Sequence, residues 1–108
     1  MKRHMQAIDN ALKVLCSEAY LPYVEAVYLY GSCARGDQRF DSDVDLLLQC
    51  KENFTPEIGR RMRIHAMPED WKLPDVELKF VCGDGWKTGK DQFSRNLIEE
   101  GVLLWEKK

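Results

Sequence analysis

The chain has almost no net charge, few histidines and no long apolar run. Lysine and arginine number 16 against 18 aspartates and glutamates, a formal net charge of -2 at pH 7. The lack of a global basic field weakens the case for general DNA or RNA binding. A small anionic ligand stays open, because that needs only a local pocket. The four cysteines, Cys16, Cys33, Cys50 and Cys82, form no C-x-x-C pair, and His4 and His65 are the only histidines. Zinc requires closer ligand spacing than these supply. Scattered cysteines with no apolar leader before them point to reduced thiols and a cytoplasmic location. Met1-Lys2-Arg3-His4 runs into an amphipathic pattern, not a leader's apolar stretch. Nothing approaches the roughly 18 apolar residues of a membrane helix, so no membrane partner is expected. There is no G-x-x-x-x-G-K-S/T loop and no G-x-G-x-x-G after a first strand, which argues against P-loop and dinucleotide sites.

What is present reads as one domain over residues 1–108, large enough to bury a core without staples. Met5, Ile8, Leu12, Leu15 and Ala19 recur every three or four residues, which predicts a helix over roughly 3–19, broken by Pro22. Val24 to Tyr30, rich in β-branched and aromatic residues, predicts a strand. Gly31 ends it, and Ser32 is a candidate N-cap for a short helical turn. Residues 37–42 are loop-like. Val44 to Gln49 predicts a second strand. A helix follows from Pro56 to about His65 with Thr55 as its cap, burying Ile58, Met62 and either His65 or Ile64. After a loop from Met67 to Pro74, Val76 to Val81 predicts a third strand. Its alternation puts Val76, Leu78 and Phe80 on one face and Asp75, Glu77 and Lys79 on the other. Gly83 to Lys90 is a connector, and Gln92 to Glu100 a last helix stopped by Gly101 ahead of the apolar Val102 to Trp105. No repeat or second domain is visible.

The chemistry concentrates in Gly31-Ser32-Cys33-Ala34-Arg35-Gly36 and Asp43-Val44-Asp45. Side chains two apart on a strand share a face, so Asp43 and Asp45 point the same way while Val44 and Leu46 take the other side. Mg²⁺ prefers such hard oxygen ligands and usually takes one or two carboxylates plus substrate phosphates and water. A third carboxylate from a neighbouring strand would complete a two-ion site. Glu77 is the candidate, with Asp75 as second choice. The Gly31-Ser32 turn lets a phosphate approach the backbone, and Ser32 and the N–H groups after it can donate to phosphate oxygens. Arg35 would either touch phosphate or brace the loop against Asp41 or another carboxylate.

These two motifs together resemble the signature of the minimal nucleotidyltransferases of the DNA polymerase β superfamily. Val76-Glu77-Leu78-Lys79-Phe80-Val81 resembles that family's third-carboxylate strand, and Arg95 to Trp105 its closing helix and tail. The resemblance implies an α/β (α+β) fold with a short mixed sheet flanked by helices. It implies a nucleoside triphosphate substrate, often ATP, two Mg²⁺ ions, and transfer of a nucleoside monophosphate to an acceptor hydroxyl with pyrophosphate leaving. Carried onto this chain, Gly31 and Ser32 hold the triphosphate. Asp43 and Asp45 bind metal, and Glu77 helps bind metal and deprotonates the acceptor. The family's usual residue there is Asp. Glutamate is one methylene longer and displaces the carboxylate by about 1 Å, which matters for aligned catalysis. A catalytically silent binding module is therefore the second reading.

Small stand-alone members occur beside HEPN-type partner proteins as antitoxins, so the resemblance raises a protein partner, whose side chain could be the acceptor. Arg60, Arg61 and Arg63 read as a solvated helix face, with an acidic partner or an RNA acceptor as the alternative. Cys33 reads as a small filler inside the turn. Trp71, Trp86, Trp105, Tyr28 and Tyr30 read as core or interface residues.

Overall fold

The computed structural model describes residues 2–107. Four α-helices, α1 (Lys2–Leu15), α2 (Ser32–Arg35), α3 (Pro56–Ala66) and α4 (Gln92–Glu100), join four strands, β1 (Val24–Tyr30), β2 (Val44–Cys50), β3 (Val76–Cys82) and β4 (Val102–Glu106). The strands form one mixed sheet in the order β3-β2-β1-β4. β1 runs antiparallel to both β2 and β4, while β2 and β3 run parallel. The short mixed sheet with flanking helices expected from the motifs is the fold observed.

One face of this sheet is the core. Val27 and Leu29 of β1, Val44, Leu46 and Leu48 of β2, and Val76 and Leu78 of β3 are buried there against Ala7, Ile8, Ala11 and Leu15 of α1 and Met62 and Ala66 of α3. A register shift between Val24 and Ala26 turns Val24 into the same core. Thr55 caps α3, its hydroxyl accepting from the Ile58 N–H at 3.3 Å, and Pro56 opens the helix. Ile64 of that helix is 69% exposed and His65 is exposed too, so neither joins the core. The His65 ring instead hydrogen-bonds the Tyr20 hydroxyl.

Other expectations need correcting. The first helix ends at Leu15, seven residues before Pro22, and Ala19 lies in the turns that follow. Its buried face is His4, Ala7, Ile8, Ala11 and Leu15, whereas Met5 is 46% exposed. Alanines weigh little in a hydrophobic pattern, yet two of them are fully buried here. The apolar tail, expected only to follow the last helix, is a strand: β4 pairs with β1 from Ala26↔Glu106 to Leu29↔Val102. Trp71 is no core residue; it is 86% exposed.

All four cysteines are free thiols. Cys50 and Cys82 are register neighbours across β2 and β3, and burial pushes the Cys50 thiol up to about 12. No helix among the described residues is long and apolar enough to cross a membrane.

Candidate active site

The alternate residues of the same strands build the other face. Register brings Tyr30, Asp45 and Glu77 into one row across β1, β2 and β3. The next row is Tyr28, Leu47 and Lys79, and the third is Ala26, Gln49 and Val81. The first row lies directly beneath the turn that ends β1.

That turn depends on glycine twice. Gly31 has φ 75°, a left-handed conformation that side chains disfavour. A Cβ there would also collide with the Asp45 carboxylate, which occupies the space beside its Cα. Gly31, not Ser32, is the N-cap of α2; its carbonyl accepts from the Ala34 and Arg35 N–H groups, both at 3.1 Å. Ser32 is the first helical residue. Helix geometry leaves the N–H groups of Ser32 and Cys33 no carbonyl within the turn. Gly36, at φ 81°, closes the four-residue helix.

The segment entering β2 is held from two sides. The Nε2 of buried His4 lies 2.9 Å from the Ser42 carbonyl, and the Cys33 thiol donates to the Asp43 carbonyl at 3.7 Å. Cys33 is thus the buried filler expected, and it also braces the entry to Asp43. Asp43 is exposed, and Asp45 is half-buried beside Glu77. Asp75 lies just before β3, its carbonyl accepting from the Val44 N–H at 2.8 Å. Of the two candidate third carboxylates, Glu77 is the register neighbour of Asp45.

Electrostatically the row is short of positive charge. Burial holds the Asp45 carboxyl above the usual carboxylate range, the charges of Asp43 and Glu77 push it further, and Arg35 partly opposes them. Burial and the same Asp45 and Glu77 charges raise the Tyr30 hydroxyl. Arg35 is tied down elsewhere, by ion pairs to Asp37 and Glu100, each at 3.2 Å. It braces the turn as one reading expected, but not on Asp41. Glu100, 65 residues away in sequence, carries no local signal that could have revealed it.

Among the described residues no three carboxylate, histidine or cysteine side chains enclose a point as a closed metal cage. Mg²⁺ does not require one, since substrate phosphates and water supply most of its ligands. The donor set here is hard oxygen and electrostatically crowded, with the Asp45 carboxylate set against the Gly31 turn. It fits that ion.

Aromatic side chains line the same face. Tyr28 meets Trp86 edge-on at 5.0 Å between ring centroids, and Tyr30 meets Phe93 at 5.6 Å. The Trp86 indole N–H donates to the Gln49 amide oxygen at 3.1 Å. Tyr28, Tyr30 and Trp86 are thus interface residues, joining the Gly85–Thr88 turn and α4 to the sheet. A cleft of about 200 Å³ remains between α4 and the motif turn, lined by Tyr30, Gly31, Arg35, Phe93, Asn96, Leu97 and Glu100. The three arginines of α3 lie away from the row. Arg61 pairs with Glu57 at 3.1 Å, and Arg63 folds over the Phe80 ring.

A mixed sheet with a Gly-Ser turn over adjacent-strand carboxylates defines the nucleotidyltransferase class. The family model described as polymerase beta, nucleotidyltransferase matches residues 10–108, and the chain belongs to that family. Among solved structures it is similar to a protein assigned as a nucleotidyltransferase from Sulfolobus solfataricus. The TM-score is 0.61 at 20% identity, covering 97% of this chain and 85% of that one. It is also similar to a chain of a toxin-antitoxin structure with AMP-PNP, with TM-score 0.62 at 17% identity, covering 95% of this chain and 73% of that one. At such identities these likenesses establish the fold. No curated protein matches the chain in sequence.

Proposed function

We propose that this protein transfers a nucleoside monophosphate, AMP from ATP, to an acceptor hydroxyl on a partner protein. The observation that carries this reading is the row Tyr30–Asp45–Glu77 in register beneath the Gly31 turn. Ser32, through its hydroxyl and N–H, and the Cys33 N–H donate to the triphosphate. Asp43, Asp45 and Glu77 are the residues that would hold Mg²⁺. When bound, Mg²⁺ neutralises phosphate charge and polarises the phosphorus for attack. Glu77 takes the proton of the acceptor hydroxyl, whose oxygen attacks the α-phosphorus. The bond between the α-phosphorus and the bridging oxygen to the β-phosphate breaks, and pyrophosphate leaves with that electron pair. Arg35 keeps the turn in place through Asp37 and Glu100, and reaches a phosphate only by leaving one of them.

The similar toxin-antitoxin structure supports a protein partner and an adenine nucleotide, and a HEPN-type protein is the partner proposed. A second reading has one specific observation behind it: the third carboxylate is Glu, not Asp. In that reading the chain binds nucleotide and masks its partner without transfer. Incubation with ATP labelled at the α-phosphate, Mg²⁺ and the co-expressed partner separates the two. Label on the partner, lost in Asp45→Asn, supports transfer. An unlabelled partner despite bound Mg-ATP supports masking alone. Binding itself is read by thermal shift, since a ligand at a hundredfold excess over Kd stabilises by about 2.7 kcal/mol.

A further inference from the structure

Across β1, β2 and the edge strand β3, the carboxylate face carries one basic side chain, and it is Lys79. Across β1, β2 and β3 that face consists of Ala26, Tyr28, Tyr30, Asp45, Leu47, Gln49, Glu77, Lys79 and Val81. Lys79 stands two residues beyond Glu77, about 6.6 Å along the strand. Its register neighbour Leu47 is fully buried, one row along from Asp45 and Glu77.

Despite the carboxylates nearby, Lys79 makes no ion pair among the described residues. The pairs found join Arg35 to Asp37 and Glu100, and Arg61 to Glu57. The ammonium instead rests 3.9 Å from the centroid of the Phe93 ring on α4. That is a weak attachment at an exposed site, and a charged hydrogen bond to phosphate is the stronger alternative. Four methylenes give it reach and three donors let it re-aim. Arg35, the cation within the motif turn itself, is already committed to two carboxylates.

We propose that Lys79 is a substrate-contacting residue whose ammonium leaves Phe93 to bind the nucleotide's α-phosphate beside Asp45 and Glu77. This rests on the nucleotide-site reading above. The β- and γ-phosphates belong to the Gly31-Ser32 turn, on the β1 side of Asp45. Lys79 approaches from the β3 side, one row deeper, where negative charge accumulates on the transferred group. A preorganised cation at that point stabilises the transition state as well as the bound nucleotide.

The test compares Lys79→Met, which keeps the length and loses the charge, with Lys79→Arg, which keeps the charge. Kd is measured calorimetrically for Mg-ATP and Mg-ADP, with Ser32→Ala as reference. Lys79→Met is expected to weaken both nucleotides by the same factor, about tenfold as for loss of one charged hydrogen bond. Lys79→Arg is expected to stay within about threefold of the parent, and neither substitution of this exposed side chain should shift the melting temperature of the unliganded protein appreciably. If Lys79→Met binds as the parent does while Ser32→Ala binds weakly, the Lys79 role is overturned and the site reading stands. An arginine variant as weak as the methionine one also overturns it, since charge would not be the cause. A parent protein that binds neither nucleotide overturns the site reading and this assignment together.

Discussion

The two faces of the sheet are written by alternate residues of the same three strands, yet they obey opposite rules. On the helix-covered face Val44, Leu46, Leu48, Val76 and Leu78 are buried against α1 and α3. On the other face Asp45 and Glu77 stand side by side, like charges that neither strand can separate. The first face lowers the free energy of folding; the second raises it in the absence of a cation. Strain of this kind is expected where a binding site displaces packing as the constraint.

That contrast can be broken in order of size. Asp45→Asn should lower nucleotidyl transfer by on the order of a thousandfold, about 4 kcal/mol of transition-state stabilisation, in steady-state kinetics. The same variant should melt at a higher temperature than the parent at pH 7. The raised native pKa of Asp45 means that its stabilising contribution is complete below the ordinary carboxylate pKa and is lost as pH rises through the native value. The advantage of Asn should therefore disappear at about pH 3, where the parent's carboxyl is protonated. A variant less stable than the parent at pH 7 would deny the electrostatic crowding.

Leu46→Ala, one residue away on the packed face, should cost about 2–5 kcal/mol in denaturant unfolding. Its effect on the Kd for Mg-ATP should be small while the protein is folded. Gly31→Ala should cost about 1–3 kcal/mol, from the left-handed φ and the collision with Asp45, and should weaken nucleotide binding as well. It joins the two faces' behaviours in one position. The smallest test concerns Cys50 and Cys82, neighbours in register with opposite exposure. A thiol-alkylating reagent at pH 7.5 should modify Cys82 and spare Cys50 in the native protein, as read by mass spectrometry. Equal labelling would show that the core face opens.

Much of this was legible beforehand for local reasons. β1 and α4 have the bounds expected, because β-branched composition and a helix with a clear stop are short-range signals. The period of two correctly separated Glu77 and Lys79 from Val76 and Leu78. β4 was not legible, since five apolar residues after a glycine do not say whether a partner strand is free. In α1, Ile8 and Leu15 lie in the core as expected, while Ala7 and Ala11 join them without a clear sequence signal, because alanine counts for little until a second helix lies against it. The cap of α4, Asp91 accepting from the Ser94 N–H at 3.1 Å, is of an ordinary kind for a helix start.

By itself the sequence determined the chemistry on offer: a glycine turn, two aspartates two residues apart at the start of a strand, and a third carboxylate on another strand. Those follow from backbone stereochemistry and the two-residue period, which act within a few residues. Only the tertiary structure decided which groups meet. Strand order and register set Glu77 rather than Asp75 beside Asp45, bring Glu100 to Arg35, and stand Lys79 over Phe93. Such contacts join residues far apart in the chain, and they are settled by how the whole core packs.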